Sequence, residues 1–584
     1  MIVSKHIFNF LIKKNINHVF GYSGGAILPI LNELNNDISK LKFIKNSTEQ
    51  CSGFAAEGYT KSLNKVKPGV IVSTSGPGVT NLITPLQDAY NDGVPLIAIT
   101  GQVPTEAIGT NAFQECNSIE LTKTCTKWNI QISKEDNIEE VLSKAYFICM
   151  SDRKGPVHID IPKDIMNTKS EENKEVFVNK NRYIFSNKRI SDIITKIKKA
   201  NNPIIIAGQG CNHLKKELKE FIKRSNIPIT TTLHGVGCFN ENHDLSLEWL
   251  GMHGNPSANI AVQESDLIIA IGTRFDDRTT GNMRRYAINA INGQGIIHID
   301  SSVQQIVNVK NLFSKYYDNT SFYYPVHYDS KYLLNEINLN YVVPKTKTKW
   351  LDRIKILKKK YNYEYNECSV KLKGPDVIKS INKYLSEYNM KNKTFITTGV
   401  GNHQMWTAQY IKWEHPNKLI TSGSLGTMGV GVPFAIGAKL ANPHSTVICI
   451  DGDSSFNMTS NELQTILENE IPVKIIILND NRQQMVYIWQ KLFHNNNIIG
   501  TENINPYYDF LGLSYGLDTV VCNNKKSVDR CVQEIMLKTG PILGIFNIEP
   551  EMCFPLVAPG KALDDMILNN TDIENIDKNQ NAPN

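Results

Sequence analysis

The chain has 584 residues, of which 41% are hydrophobic and 21% charged, a composition typical of a folded globular protein. At roughly 150 residues per domain, this length suggests three or four domains. The formal net charge of +6 is small for the length and the lysines are dispersed, which argues against nucleic acid or membrane binding.

The N-terminus enters an amphipathic helix directly, and no apolar run approaches transmembrane length. The eleven cysteines form no CxxC pair and no Cys/His metal spacing, which indicates reduced thiols. We therefore expect a cytoplasmic protein without a targeting peptide, although synthesis inside an organelle is compatible with the same sequence.

Residues 1–170 alternate apolar strands with helical stretches, a pattern that predicts a parallel sheet wrapped by helices. The strand runs are GVIVSTSG, PLIAITG and PVHIDIP. A charged linker is predicted from Thr168, a second α/β set over 188–342 and a third over 368–568. We expect a disordered tail over 569–584. The predicted fold class is α/β, with three domains of parallel sheet and flanking helices.

Acidic and amide residues follow two strands of the third set. The run VICI ends in DGD at 451–453, and the run VKIIIL ends in NDN at 479–481. In a parallel sheet both ends lie at the same edge, where ligands bind. Asp453 and Asp480 there supply oxygen ligands of the kind that Mg²⁺ takes alongside phosphate oxygens. An isolated DG or ND pair more often caps a turn, but two such ends 27 residues apart favour a metal-bound pyrophosphate.

This spacing resembles the diphosphate-binding motif of thiamine diphosphate (ThDP) enzymes, which begins GDG and ends NN. Ser454 stands at the third position and Asp480 at the second asparagine; the extra charge of Asp480 weakens cofactor binding unless the metal neutralises it. The resemblance implies a Mg²⁺ site formed by Asp453, Asp480 and the backbone carbonyl of Arg482. It also implies diphosphate contacts from Gly452, Asp453, Ser454, Ser455, Asp480, Met485 and Val486.

A second set of motifs surrounds Glu49, which NSTEQCSGFAAEGYTK places at the start of a helix. An acid in that position favours the helix dipole without any catalytic role. However, TEQ, AAEGY, TSGPGVTN, GVPLIAITGQVP and IGTNAFQE together resemble the pyrimidine domain of the acetohydroxyacid synthase, or acetolactate synthase, family. The resemblance runs from VFGYSGGAILP to VAPGKALDDMI, nearly the whole chain.

The resemblance implies a reaction. Enzymes of this family decarboxylate pyruvate and join the remaining unit to a second 2-ketoacid. The products are 2-acetolactate or 2-aceto-2-hydroxybutyrate, at the first common step of branched-chain amino-acid biosynthesis. Glu49 is expected to exchange a proton with the aminopyrimidine ring of ThDP, which a carboxyl group of raised pKa can do near neutral pH. Met428 is expected beneath the cofactor, holding it bent. A preceding loop is expected to contact it through Val400, Gly401, His403 and Gln404.

Substrate contacts follow from the same resemblance. Arg278, in RFDDR, matches an arginine that holds the carboxylate of the second substrate, a task suited to a guanidinium fork. Trp489 matches a tryptophan that favours 2-ketobutyrate, because an indole wall contacts an ethyl group more than a methyl; one methylene is worth about 1 to 3 kcal/mol. The other residues implied near the reacting atoms are Gly25, Phe113, Gln114 and Lys127.

The middle domain contains GQGCN, LGMHGN, GTRFDD and HIDSS, which resemble the family's FAD site. A glycine turn with an arginine after the strand DLIIAI suits a pyrophosphate, and Asp300 at the next strand end suits ribose hydroxyls. The flavin would be structural, since the overall reaction has no net redox step. His327 and Tyr328 depart from the small residue and glycine usual before Asp329. The implied FAD residues are Met252, His253, Gly272, Thr273, Arg274, Phe275, Asp276, Asp300, Ser301 and Asp329.

Three further departures, Ser23, Thr48 and Gln484, remove no group that the chemistry requires. Among alternatives, a pyruvate oxidase needs a redox-active flavin, and RFDDR together with Trp489 argues against it. Glyoxylate carboligase lacks the glutamate that matches Glu49. A catalytically silent scaffold is the remaining alternative. ThDP enzymes bind their cofactor between chains, so we expect a homodimer or homotetramer, with a separate regulatory subunit possible and 2-ketoacids as substrates.

Overall fold

A computed structural model describes residues 1–36, 38–170, 187–365, 367, 370–569 and 571–572. It contains three six-stranded sheets flanked by helices, and the strand pairs within them are parallel. The predicted fold class is therefore confirmed. The linker predicted from Thr168 and the tail predicted over 569–584 fall mostly outside the described residues.

The first sheet has the strands β1 (His18–Gly21), β2 (Lys42–Lys45), β3 (Gly69–Ser73), β4 (Leu96–Gln102), β5 (Trp128–Gln131) and β6 (Val157–Pro162). Their order is β2-β1-β3-β4-β6-β5. Its helices are α1 (Val3–Lys13), α2 (Leu28–Asn36), α3 (Glu49–Ser62), α4 (Pro77–Thr80), α5 (Ile83–Asp92), α6 (Ser118–Thr122) and α7 (Ile138–Met150). Strands β3, β4 and β6 are buried along their whole length, because helices cover a parallel sheet on both faces.

The second sheet has the strands β7 (Pro203–Ala207), β8 (Ile229–Thr231), β9 (Ser246–Trp249), β10 (Leu267–Ile271), β11 (Gly295–Asp300) and β12 (Tyr323–His327), in the order β12-β11-β10-β7-β8-β9. Its helices are α8 (Asn187–Lys199), α9 (Lys215–Ser225), α10 (Pro256–Glu264), α11 (Asp277–Thr280), α12 (Ile288–Asn292), α13 (Val303–Ser314), α14 (Ser330–Asn340) and α15 (Thr348–Lys360). In the basic helix α15, Trp350, Ile354 and Leu357 are buried at helical spacing, so its lysines form the outer face.

The third sheet has the strands β13 (Thr394–Thr398), β14 (Leu419–Ile420), β15 (Thr446–Gly452), β16 (Lys474–Asn479), β17 (Asp518–Cys522) and β18 (Ile542–Asn547), in the order β14-β13-β15-β16-β18-β17. A small antiparallel pair follows, β19 (Leu556–Val557) and β20 (Met566–Ile567). The remaining helices are α16 (Gly374–Glu387), α17 (Asn402–Tyr410), α18 (Gly431–Ala441), α19 (Asp453–Asn457), α20 (Leu463–Glu468), α21 (Gln484–Phe493), α22 (Tyr508–Ser514) and α23 (Val528–Leu537). Short 3₁₀ turns lie at Gly25–Ile27, Thr105–Ala107, Ile165–Asn167, Gln209–Cys211, Leu233–Gly235, Lys391–Lys393, Ser460–Glu462 and Lys525–Ser527.

The chain forms two compact units. The first unit combines the first and third sheets and consists of Met1–Lys180, Lys393–Gln404 and Ile420–Ile548. The second unit contains the middle sheet and consists of Asn181–Asn392, Met405–Leu419 and Glu549–Asn584. Within the described ranges, no helix combines the length and the apolar character needed to cross a membrane.

Helices α3 and α18 join the two halves of the first unit. A Cβ atom on Gly437 would lie 1.9 Å from the carbonyl oxygen of Ala55, and one on Gly58 would lie 2.4 Å from that of Phe434. The rings of Phe54 and Phe434 meet edge to face with centroids 6.2 Å apart. Small residues on both helices therefore let their backbones approach closely, and one core is shared by the first and third sheets.

Candidate cofactor site

The two strand ends predicted to form a metal site lie side by side. Strands β15 and β16 are parallel neighbours, so the residues that follow them share one edge of the sheet. The side-chain Nδ2 of Asn505 lies 2.5 Å from Asp453 Oδ2, 2.9 Å from Asn479 Oδ1 and 3.0 Å from Asn481 Oδ1. One amide group thus contacts both predicted ends, and the structure brings the DGD and NDN tripeptides together.

The electrostatics of this edge favour a cation. Burial raises the pKa of Asp453, while hydrogen bonds from Asn505 and Asn503 act in the opposite direction. Burial and the neighbouring Asp453 raise the pKa of Asp480 to about 8. The backbone N–H of Arg482 donates to Asp480 Oδ1 at 3.2 Å. Two adjacent, largely buried carboxyl groups resist ionising together unless a positive charge joins them, and this oxygen-rich donor set fits Mg²⁺.

Asn503 and Asn505 were not predicted from the sequence. Their segment returns to the strand edge through backbone hydrogen bonds: Gln483 N–H donates to Thr501 O at 2.8 Å and Asn503 N–H to Asn481 O at 2.8 Å. The side chain of Asn503 also donates to Ser454 Oγ at 2.5 Å. Nothing local in GTENINP signals this contact, because it depends on where the chain returns after α21.

The segment 421–429, named here the Met428 loop, is held on both sides of Met428. The N–H of Gly429 donates to Ser455 Oγ at 2.9 Å, and Thr459 Oγ1 donates to Gly429 O at 2.7 Å. Gly429 has φ of +81°, a conformation that glycine adopts without strain. Gln404 Nε2 donates to Ser422 O at 2.9 Å, which ties the predicted cofactor residue Gln404 to the same loop.

His403 reaches the strand end from the start of α17. Its Nε2 lies 3.3 Å from Asp451 Oδ1, and Asp451 is fully buried. A Cβ atom on Gly452 would lie 2.8 Å from His403 Nδ1, and one on Gly399 would lie 2.0 Å from Asp451 Oδ1. The two glycines therefore leave room for the His403–Asp451 pair beside the predicted diphosphate motif.

Glu49 is the first residue of α3, and its side chain is buried. Thr48 caps the helix by accepting the Cys51 N–H at 3.1 Å, so the threonine at this departure from the family pattern has a structural role. Asn81 Nδ2 donates to Glu49 Oε2 at 2.9 Å. The role of Glu49 in proton exchange stays a prediction. Asn81 is a second contact that the sequence did not reveal.

Three family models match this chain, one for each of its three sheets. Residues 1–121 match the N-terminal TPP binding domain of the thiamine pyrophosphate enzymes, 190–313 their central domain and 399–544 their C-terminal TPP binding domain. The acetolactate synthase catalytic subunit of Saccharomyces cerevisiae is 38% identical over 97% of this chain and 84% of its own length.

A probable acetolactate synthase large subunit of Methanococcus aeolicus is 37% identical, covering 95% of this chain and 93% of its own. The acetolactate synthase large subunit of Pyropia yezoensis is 37% identical over 95% of this chain and 94% of its own. The chain belongs to the acetolactate synthase family of thiamine pyrophosphate enzymes.

Among the residues expected near the reacting atoms in this family, Gly25 opens a 3₁₀ turn, and a Cβ placed on it would meet no atom within 4 Å. Gln114 is exposed with φ of +63°, and Phe113 has 88% of its side chain exposed. Lys127 Nζ donates to Ile148 O at 2.5 Å and to Ser151 O at 2.8 Å, so its ammonium group caps the end of α7. The catalytic role of Lys127 stays a prediction.

The predicted substrate residues lie in different units. Trp489 is half-buried on α21 in the first unit, with its ring 5.2 Å from that of Phe493. The same helix carries Met485 and Val486. Arg278 lies on α11 in the second unit, where its side chain is largely exposed and its Nη1 is 3.6 Å from Met252 Sδ. Its Nη1 also lies 3.8 Å from Oδ2 of the exposed Asp277, so the guanidinium group already has a loose carboxylate partner on the protein surface. The substrate role of Arg278 stays a prediction.

The predicted flavin segment 272–276 follows β10, at the point where the strand order of the middle sheet reverses. From β7 the chain builds outward through β8 and β9, and then returns to place β10 on the other side of β7. Ligands of α/β sheets bind in the crevice at such a switch point. A Cβ atom on Gly208, after β7, would lie 2.1 Å from the oxygen of Gly272, after β10. The buried Thr273 Oγ1 has no hydrogen-bond partner among the described residues. The two glycine turns therefore pack closely, and the Thr273 hydroxyl beside them is a donor of the kind that a dinucleotide phosphate accepts from.

Several of the other predicted flavin residues have structural partners. Phe275 is buried, and its ring packs against those of Tyr286 and Phe313, so its side chain belongs to the core. Asp276 caps α11 and Asp329 caps α14. The remaining contacts are Arg274 to Asp276 at 3.3 Å, Asp300 Oδ1 from Ser302 N–H at 2.8 Å, Ser301 O to His327 Nε2 at 3.0 Å, His253 Nδ1 to Pro555 O at 2.9 Å and Met252 N–H to Arg278 O at 2.8 Å.

Replacing Asp480 with Asn, the residue usual in the ThDP motif, is expected to weaken Mg²⁺ binding about tenfold. It is also expected to raise the thermal midpoint of the metal-free protein by about 2 to 4 °C, because one of two adjacent carboxyl groups is removed. Calorimetric Mg²⁺ titration and melting curves with and without a chelator measure both effects. Asp518→Asn, at an exposed ion pair with Lys538, is the control. Equal Mg²⁺ affinity in the Asp480 variant and the wild type would show that the negative charge of Asp480 does not contribute to metal binding.

Proposed function

We propose that this chain is the catalytic subunit of an acetolactate synthase. It would decarboxylate pyruvate and join the two-carbon unit to a second pyruvate or to 2-ketobutyrate. One observation carries the proposal: this member of the family has both the buried Glu49 carboxyl group and the neighbouring acids Asp453 and Asp480 at one strand edge.

The chain's own groups suit this chemistry. Bound thiamine diphosphate supplies the electron sink for loss of carbon dioxide. Asp453, Asp480 and the carbonyl of Arg482 would hold Mg²⁺, which neutralises the diphosphate and the extra charge of Asp480. Glu49 would hold and release a proton at Oε1, because Oε2 already accepts a hydrogen bond from Asn81. The Met428 loop would support the cofactor and keep it bent.

The assembly and the remaining cofactor belong to the same proposal. The closely packed glycine turns after β7 and β10 and the unpaired Thr273 hydroxyl support a structural FAD. A homodimer or homotetramer is proposed, in which the cofactor lies between chains. The yeast and Methanococcus relatives are named catalytic and large subunits, which supports a separate regulatory subunit. The ten cysteines in the described part of the chain are free, which suits a reducing compartment, cytoplasmic or organellar.

Product analysis tests the proposed function. Purified protein is incubated with ThDP, Mg²⁺, FAD and equal amounts of pyruvate and 2-ketobutyrate. Acetohydroxybutyrate and acetolactate are the expected products. Acetate with hydrogen peroxide would instead indicate an oxidase, and lack of carbon dioxide release from pyruvate would indicate a silent scaffold; either outcome overturns the proposal.

Trp489→Leu is expected to lower the ratio of acetohydroxybutyrate to acetolactate about tenfold. The reason is that leucine has less apolar surface than indole for contact with the ethyl group of 2-ketobutyrate. The ratio is measured from equal concentrations of the two ketoacids. The rate with pyruvate alone serves as the internal control and is expected to stay within about twofold. An unchanged product ratio would remove Trp489 from substrate selection.

A further inference from the structure

The first unit has two halves, one built on the first sheet and one on the third. A buried carboxyl group of the half with the third sheet holds the turn that leads into Glu49 in the other half. Glu462 is fully buried at the start of α20. Its Oε2 accepts Asn46 Nδ2 at 2.7 Å, and its Oε1 accepts the Ser47 N–H at 2.7 Å. Ser47 Oγ also donates to Asn461 O at 2.8 Å. Three hydrogen bonds thus fix the segment that directly precedes the predicted proton-exchanging residue.

A second buried carboxyl group, in the half of the unit that contains the first sheet, holds the Met428 loop of the other half. Asp88, on α5, is fully buried. Its Oδ1 accepts Ser422 Oγ at 2.5 Å and Thr427 Oγ1 at 3.1 Å. Ser422 Oγ in turn accepts the N–H groups of Gly426 and Thr427, at 3.1 and 2.9 Å. The loop is closed on itself and anchored to Asp88 at the residue next to Met428.

Lys61 adds a further hydrogen bond to the Met428 loop beside Asp88. Lys61 Nζ donates to Thr421 O at 2.9 Å, and it lies 2.8 Å from both Glu57 and Asp92. The acidic residues Glu57, Asp88 and Asp92 cluster closely enough to suggest a metal site. The ammonium group of Lys61 already supplies the positive charge there. The cluster is therefore an anchor for the loop, with the same two halves of the chain contributing to it.

We propose that Glu462 and Asp88 are positioning residues for the carboligation reaction, each held in one half of the unit and fixing the cofactor segment of the other. The proposal rests on the proposed function. Buried carboxyl groups that accept from two donors each make directional hydrogen bonds in a medium of low dielectric constant. Because a displacement of about 1 Å can cost a hundredfold in rate, the reach of these carboxylates sets the placement of Glu49 and of Met428.

The test variants change the length of each acidic side chain and keep its carboxyl group. Glu462→Asp draws the carboxylate back by one methylene, and Asp88→Glu extends it. We expect Glu462→Asp to lower kcat about tenfold with little change in the ThDP concentration for half-maximal rate, because Glu49 acts in proton exchange. We expect Asp88→Glu to raise that ThDP concentration about tenfold, because the Met428 loop supports the bound cofactor. Thr427→Val removes a single hydroxyl contact to Asp88 without adding volume and is expected to act in the same direction as Asp88→Glu.

Glu468→Asp is the matched control. Glu468 lies on α20, and its Oε1 is 2.9 Å from Nζ of Lys45, the residue before Asn46. This ion pair also joins the two halves of the unit, but it lies at the surface. We expect this variant to match the wild type in kcat and in ThDP dependence. A purely structural role for the buried carboxylates predicts lower thermal midpoints with unchanged kinetics per folded molecule, and that result would overturn the proposal.

Hydrogen exchange in the cofactor-free protein gives a readout that does not depend on turnover. We expect amides of 421–429 to exchange faster in Asp88→Glu, those of 46–49 to exchange faster in Glu462→Asp, and neither in Glu468→Asp. Unchanged exchange and unchanged kinetics in an active enzyme would refute the positioning role and leave the proposed function intact. A wild-type protein without carboligase activity would refute the proposed function and, with it, this role in catalysis.

Discussion

Glu49→Gln is expected to lower kcat for acetolactate formation by about a hundredfold or more, the usual contribution of a positioned acid–base group. Glutamine has nearly the same size and still accepts the Asn81 hydrogen bond that Glu49 Oε2 receives at 2.9 Å. It has no ionisable proton to exchange, however. Initial rates at saturating pyruvate, ThDP, Mg²⁺ and FAD measure the effect.

Glu33→Gln is the control for this substitution. Glu33 is a second glutamate of the first-sheet half, on α2, and is paired with Lys5 at 3.0 Å. Its loss removes a partly exposed ion pair, worth about 1 kcal/mol or less, and is expected to leave kcat within twofold. If the Glu49 variant retained wild-type kcat, the glutamate would be only a favourable helix-terminal acid.

Asp453→Asn is expected to weaken Mg²⁺ binding about a hundredfold, so that activity returns only at high Mg²⁺ concentration. Asp453 is the buried first residue of α19, at the edge shared with Asp480, and two asparagine side chains orient it. The amide keeps one oxygen but loses the negative charge that a hard cation requires. Mg²⁺ titration of activity and calorimetry measure the loss, which we expect to exceed that of Asp480→Asn.

Asp509→Asn separates metal binding from a helix-terminal effect. Asp509 is the acidic residue in the first turn of α22, and thus also benefits from a helix dipole. It is expected to leave Mg²⁺ affinity unchanged. Equal losses in the Asp453 and Asp509 variants would indicate a general effect of acidic helix starts and would remove Asp453 from the metal site.

The position of Asp453 and Asp480 at one sheet edge could be predicted because it depends only on the strand sequences that directly precede them. Apolar runs such as VICI and VKIIIL indicate buried parallel strands, and residues that follow parallel neighbours must share an edge. Glu49 was predictable only through family motifs, since an acid at a helix start is otherwise unremarkable. In the predicted flavin segment GTRFDD, the motif did not show that the Phe275 side chain packs in the core; its contact with a flavin stays a prediction.

Contacts between distant segments could not be predicted from the sequence. Asn505 and Asp453 are 52 positions apart, and Asp88 and Ser422 are 334 apart. No periodicity or spacing connects such residues, because their meeting depends on the packing of α3 against α18 and on the return of the chain after α21. The basic character of α15 is likewise visible in the sequence, but the core against which Trp350, Ile354 and Leu357 pack is not.

The α/β class, the strand runs, the family and the acidic groups at the strand ends could all be predicted from the amino-acid sequence, because each depends on residues that are neighbours in the chain. The tertiary structure decided which side chains orient those groups: Asn505 for Asp453, Asn81 for Glu49, Glu462 for the turn before Glu49 and Asp88 for the Met428 loop. The physical reason is that hydrogen bonds act over about 3 Å, whereas the segments that supply them are joined only by folding.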